Sequence, residues 1–259
     1  MKELTLLIRI GNEVFLRQVE EVLKSLLGEL EVEAKMLEPA VGRWVRIALS
    51  GEDEKIAANY IAEEIGVCPS SLYGLKRFED LKGYILPAKQ RKEELLVDFG
   101  IFQPEIVHAA ISLNDLQAQL TGGMDIPLEE IARLFALTEG VPVGVKIEGL
   151  IEKEQKIEAK IADSQVAKFV TWRESLLDRL LIVGTTLPVM KLILKKTYLE
   201  RDVINIESLG IFEQVLTCKL GTKAEGVIPI IGRKLRKSKF IVFSPERINS
   251  SLQKEARKS

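Results

Sequence analysis

The densest positive charge in the chain lies near its C-terminus. Arg233-Lys234-Leu235-Arg236-Lys237-Ser238-Lys239 places five cations in seven positions, and Lys219 and Lys223 come shortly before. Cations at this density neutralise phosphates, and such contacts weaken with salt because they release counterions. They specify a polyanion and carry no base sequence information. The wider charge pattern agrees. Residues 1–184 hold 22 Lys and Arg against 31 Asp and Glu, a net of −9, while residues 185–259 hold 15 against 7, a net of +8. An acidic body with a basic end points to a polyanion-facing surface on one side. The same numbers admit an adaptor whose acidic N-terminal two-thirds docks a basic protein.

Catalytic chemistry lacks its parts. His108 is the only histidine, so a zinc site would need Cys or His partners that are not near it in sequence. Cys68 and Cys218 have neither zinc nor disulfide-framework spacing. A Ser-His-Asp arrangement would have to use His108, with Asp98 and Asp115 on either side, yet no Gly-x-Ser-x-Gly elbow is present. Leu220-Gly221-Thr222-Lys223-Ala224-Glu225-Gly226 lacks the P-loop spacing and reads as a β-turn. No Gly-x-Gly-x-x-Gly occurs. The expectation is a non-enzymatic protein with no catalytic residue, metal or cofactor. Tyr84, Phe99 and Phe102 are candidates for stacking bases, with packing as their competing role. Trp44 and Trp172 read as packing residues.

The elements that must hold these residues follow from pattern. The 259 residues suit two or three domains. No apolar run reaches the ~18 residues of a membrane-spanning helix. The start, Met-Lys-Glu, enters an alternating strand without an apolar leader. With so few cysteines, a reducing cytoplasm is expected.

Residues 1–70 read as βαββα. There is a strand at 4–10, a helix at 14–27 behind an Asn12 cap, strands at 31–36 and 43–49, and a helix at 56–65. This is a ferredoxin-like domain short of a convincing last strand, ending near Pro69-Ser70-Ser71. Residues 71–152 read as a barrel with an inserted helix. Pro87 marks an edge, 89–94 is a charged turn, Leu95–Gly100 is a strand, Ala109–Leu113 returns into a helical turn, a helix starts at Ile126-Pro127, and Val143–Ile151 closes the barrel. Residues 153–245 read as a helix at 165–182 followed by a β-rich domain. Its strands are expected at 203–209, 214–220, 227–231 and 240–243, with 187–194 open between helix and strand. Residues 246–259 are expected to be a mobile tail. An echo of the 83–113 pattern near 203–231 admits a second barrel.

Gly83, the run Leu95 to Gly100, and Ile111-Ser112-Leu113 with Leu116 resemble the S1 type of OB-fold, although Ile101–His108 replaces the usual short glycine-rich loop. That resemblance implies a central barrel that binds RNA. The chain is also similar to an archaeal family of uncharacterised proteins, a domain of unknown function. The residues concerned are Val97-Asp98-Phe99-Gly100-Ile101-Phe102-x-Pro104, Val141-Pro142-Val143, and Leu220 through Gly232. This implies an archaeal cytoplasmic protein. The combined expectation is an α+β protein that binds RNA or a ribonucleoprotein assembly in translation, RNA processing or transcription.

Overall fold

The computed structural model describes all residues except 11–12, 70, 88–92, 152–155 and 259. The Asn12 cap, the boundary residue Ser70 and most of the charged turn lie outside the described residues. The chain forms two compact units. One is Met1–Lys76 with Asp98–His108, and the other is Arg77–Val97 with Ala109–Ser259.

The first unit has β1 (Lys2–Arg9), α1 (Glu13–Leu27), β2 (Val32–Ala40), β3 (Trp44–Gly51) and α2 (Glu54–Glu64), the order that periodicity predicts. The sheet runs β1-β3-β2 and is antiparallel throughout. β1 and β2 are therefore parallel to each other with β3 between them, a split βαβ path. After α2 the chain returns beside β1 through a single bridge, Leu6 to Val67. Val19, Leu23 and Leu27 give α1 one apolar face at helical spacing. β1 is buried from Leu4 through Ile8, on both faces.

Part of that cover comes from far along the chain. Asp98–His108 belongs to this unit, and Phe99 and Ile101 are fully buried. Gly100 makes the approach possible. Its φ is +75°, and a Cβ there would lie 2.6 Å from the Cys68 Sγ and 3.2 Å from the Trp44 ring.

The second unit contains β4 (Asp80–Ile85), β5 (Glu94–Ile101), β6 (Val107–Ser112), β7 (Pro142–Ile151) and β8 (Lys156–Ile161), where β5 and β6 run on into the first unit. These strands close a barrel in the order β4-β5-β6-β8-β7, with β6 and β8 parallel. Between β6 and β7 lie α3 (Leu113–Leu120) and α4 (Leu128–Leu134). The Ser112 Oγ caps α3 by accepting the Asp115 N–H at 3.1 Å. β8 is a barrel strand, so the barrel extends past the boundary expected at 152.

The remainder is α5 (Asp163–Glu174), β9 (Arg179–Val183), α6 (Leu187–Thr197), β10 (Val203–Ser208), β11 (Glu213–Cys218), α7 (Ala224–Gly232), β12 (Lys239–Phe243) and α8 (Pro245–Ala256). The sheet order is β10-β11-β9-β12, all antiparallel. From β9 onward this is βαββαβ, the split path of the first unit with its fourth strand complete. Three expectations are corrected here, the first being the helix read over 165–182, which ends at Glu174 and gives way to the strand β9. The C-terminal region is a helix-and-sheet sandwich rather than a β-rich domain, and 203–231 is no second barrel.

The stretch 227–231 is helical. Ala224, Val227 and Ile231 are the buried positions of α7, a spacing that only a helix places on one face. The expected tail folds as α8, with Ile248 fully buried.

Both faces of this sheet are covered. On one, Leu180, Ile182, Leu216 and Cys218 join Met190, Ile193, Leu194, Val227 and Ile231 in an aliphatic core. On the other, Phe243 meets Phe135, Phe169 and Trp172 with ring centroids 5.2 to 6.3 Å apart. Arg179 closes the end of α5 by donating to the Trp172 and Leu177 carbonyls and the Ser175 Oγ. Its guanidinium lies over the Trp172 ring.

The barrel joins the same sheet through Tyr84, whose hydroxyl donates to the Glu213 Oε2 at 3.2 Å, and through Lys82, which donates to the Leu209 carbonyl. Burial pushes the Glu213 carboxyl up to about 7, while the Tyr84 hydrogen bond and the Lys82 charge act in the opposite direction.

Two outcomes follow. Gly100→Ala and Gly122→Ala both place a side chain at positive φ, but a Cβ at Gly122 meets nothing within 4 Å. Gly100→Ala should therefore cost about 1–3 kcal/mol more, read as the difference in unfolding free energy by denaturant titration. Glu213 holds its proton more tightly folded than unfolded. Its ionisation therefore removes stability as pH rises from about 4.5 to about 7, and the loss is complete above that. Glu213→Gln should flatten this window and be the more stable form at pH 8, measured by urea unfolding at pH 5 and 8.

Candidate nucleic-acid interface

The C-terminal basic run sits on a turn between α7 and β12. Its start is set by Asp178, a buried carboxylate just before β9. Asp178 accepts the N–H of Ala224, the first residue of α7, at 3.2 Å and the Ser244 hydroxyl at 3.0 Å. A carboxylate at a helix N-terminus satisfies free amides and complements the helix dipole. After α7 the chain turns, with the N–H groups of Lys234 and Leu235 both donating to the Ile231 carbonyl. Leu235 is buried in the aliphatic core, and the Ser238 hydroxyl donates to the Gly184 carbonyl at 3.1 Å.

This anchoring leaves Arg233, Lys234, Arg236 and Lys237 exposed in two pairs on either side of Leu235. Among the described residues none of the four has an ion-pair partner. Cations at a helix C-terminus are also favoured by its dipole, so the turn accommodates them without a carboxylate.

The other three expected cations are placed differently. Lys223 bonds to Glu246, and that hydrogen bond raises its pKa. Lys239 lies 3.0 Å from the Glu139 carbonyl oxygen and 3.5 Å from its carboxylate. Lys219 is exposed. Lys219 and Lys223 precede α7, so its nine residues, about 13 Å of helix, lie between them and the turn. The seven cations are not condensed on one side of a sheet.

The aromatic candidates are largely withdrawn from solvent. Tyr84 is buried with its hydroxyl engaged, and Phe99 is fully buried. Neither offers a ring face to a base, which corrects the stacking expectation for both. Phe102 is half-buried. The sheet face that serves as a stacking platform in single-strand binders of this topology is occupied here by the aromatic cluster.

His108 lies in the first unit, half-buried, with Nδ1 3.8 Å from the Asp98 Oδ1. Asp98 also accepts the Gly100 N–H at 2.9 Å and sits 3.9 Å from Arg9. The nearby Cys68 thiol donates to the Leu6 carbonyl, and burial followed by the Asp98 charge raises its pKa. A thiol held in its neutral form is a poor nucleophile. Burial also pushes Cys218 up to about 11. Among the described residues no group of three or more His, Cys, Asp or Glu is placed to hold a metal ion.

Sequence reasoning passed over Asp178, Arg179 and Glu213. Asp178-Arg179 stands directly before the apolar run Leu180–Val183, and a charged pair entering a buried strand was the available signal.

Two domain models of one family match the chain. The DUF2110 N-terminal domain matches residues 4–71 and the DUF2110 C-terminal domain matches residues 177–243. Together they span just over half of the chain, and they fall on the two split βαβ regions, with the barrel strands between them in sequence. No curated protein matches.

Among solved structures, the a/eIF2alpha–aDim2p–rRNA complex from Pyrococcus horikoshii is 11% identical with a TM-score of 0.27, covering 50% of this chain and 70% of that one. A candidate exosome complex RNA-binding protein is 13% identical with a TM-score of 0.27, over 72% and 98%. The intact alpha subunit of aIF2 from Pyrococcus abyssi is 10% identical with a TM-score of 0.26, over 65% and 97%. At these values the likenesses carry no weight for function.

Proposed function

For a chain that carries both DUF2110 domains and a five-stranded barrel, we propose a non-enzymatic role in binding RNA or a ribonucleoprotein assembly, in translation, RNA processing or transcription. The observation that carries this reading is the turn after α7. There Arg233, Lys234, Arg236 and Lys237 are exposed, without ion-pair partners among the described residues, and held by the buried Leu235. A rigidly anchored set of free cations gives phosphate contacts at little ordering cost.

The barrel order, with helices between the third and fourth strands, is read as an OB-type barrel. The flanking domains are read as ferredoxin-like. The barrel acts here as scaffold, because Tyr84 and Phe99 are buried. No metal or cofactor enters the reading, and the setting is cytoplasmic.

Binding of a fluorescent 20-nucleotide oligouridylate should be salt-dependent. Four phosphate contacts to a single strand give a log–log slope of about −3, or roughly a 50-fold loss of affinity between 50 and 200 mM salt. Reversal of Arg233, Lys234, Arg236 and Lys237 to Glu should abolish binding, whereas Lys223→Glu should change it little. Affinity that ignores salt, or that survives the fourfold reversal, would overturn the proposal.

A further inference from the structure

Among the described residues β12 is an edge strand, paired with β9 alone. Among the described residues no backbone or side-chain group bonds its outer edge. Sheet edges are commonly protected by charge, proline or cover. β12 has a single charge, Lys239, followed by the half-exposed apolar residues Phe240, Ile241 and Val242.

A groove of about 370 Å³ is lined by Lys239 through Val242 of β12 together with Arg133, Thr138 and Arg247. The Thr138 Oγ1 is buried and has no hydrogen-bond partner. The groove lining includes the three cations Arg133, Lys239 and Arg247 and no carboxylate. The turn with its four free cations leads directly into β12.

We propose that this groove receives an extended acidic peptide segment of a partner protein, which adds as a strand to β12. A free strand edge offers N–H and C=O groups in alternation, and both kinds must be satisfied when the edge is covered. A peptide backbone supplies both partners, whereas a phosphate backbone supplies acceptors and leaves the carbonyls unmet. Alternate side chains of an added strand face opposite ways, so one set meets the apolar side chains of β12 and the other the cations. Arg133, Lys239 and Arg247 now pair with Glu130, Glu139 and Glu225. The Lys239 and Arg247 pairs are largely exposed and individually weak, so carboxylates of a bound peptide can replace them, and Arg133, bidentate on Glu130, adds its positive charge to the groove.

The test uses the full chain and a fluorescent ten-residue peptide alternating valine and glutamate. The peptide should bind and slow amide hydrogen exchange across Lys239–Phe243. The same peptide with lysine for glutamate should not bind, and one with a central proline should bind about tenfold more weakly. The double variant Arg133→Glu, Lys239→Glu, changed only at exposed side chains, should lose about tenfold. The fourfold reversal at the α7–β12 turn, which tests RNA binding, should leave the exchange protection in place.

Absence of binding by the acidic peptide would overturn the proposal. So would binding indifferent to the proline or to the double variant. Displacement of the peptide by oligouridylate, with no change in β12 exchange, would also overturn it and assign the surface to nucleic acid.

Discussion

Burial of both faces of the C-terminal sheet is the constraint on which its surface chemistry depends. The aliphatic face lies under α6 and α7, and the aromatic face is closed by Phe135, Phe169 and Trp172 around Phe243. A sheet sealed on both sides has no platform left to offer. What remains are its margins, among them the turn that enters β12 and the outer edges of β12 and β10. The polar groups inside serve this sealing. Arg179 satisfies the carbonyls at the end of α5, and Asp178 satisfies the first amide of α7. Each is a buried charge whose hydrogen bonds offset its desolvation.

The fold was legible where pattern and steric need coincide. In the first unit, alternation at Arg43–Leu49 and helical spacing at Val14–Leu27 lead to the observed order. Gly100 marks the close approach at the end of β5 because no other residue fits there. Legibility failed where a short apolar run had two readings. Val227–Ile231 looks like a strand, since Val, Ile and an interrupting Pro suit an edge. In the structure the sheet edges are β10 and β12, and the run covers the aliphatic core as a helix. Residues 246–259 look mobile because their polar face dominates, yet one fully buried side chain, Ile248, places α8 on the body. The repetition of the split path was invisible because the two regions share a route through space and not a residue pattern.

The candidate site was readable as composition and not as arrangement. The sequence places seven cations within about 20 positions, but α7 separates two of them from the rest, and two are paired with carboxylates. The aromatic candidates failed for a different reason. Tyr84 and Phe99 were chosen for what their rings can do, while burial decides whether a ring is available at all. Glu213, which shows in sequence as an ordinary acidic residue, holds its proton because it is buried, and the Tyr84 hydrogen bond and the Lys82 charge only partly oppose that burial.

The membership of Asp98–His108 in the first unit bears on how the chain matures during synthesis. Domains generally fold as units from the N-terminus, and the first domain match ends at residue 71. A nascent chain of that length already has three strands and two helices, but it lacks the segment that packs on Trp44 and Cys68. The first core is complete once Asp98–His108 has joined it. Until then the growing chain carries an uncovered apolar surface, in the interval when holding chaperones and neighbouring nascent chains compete for it.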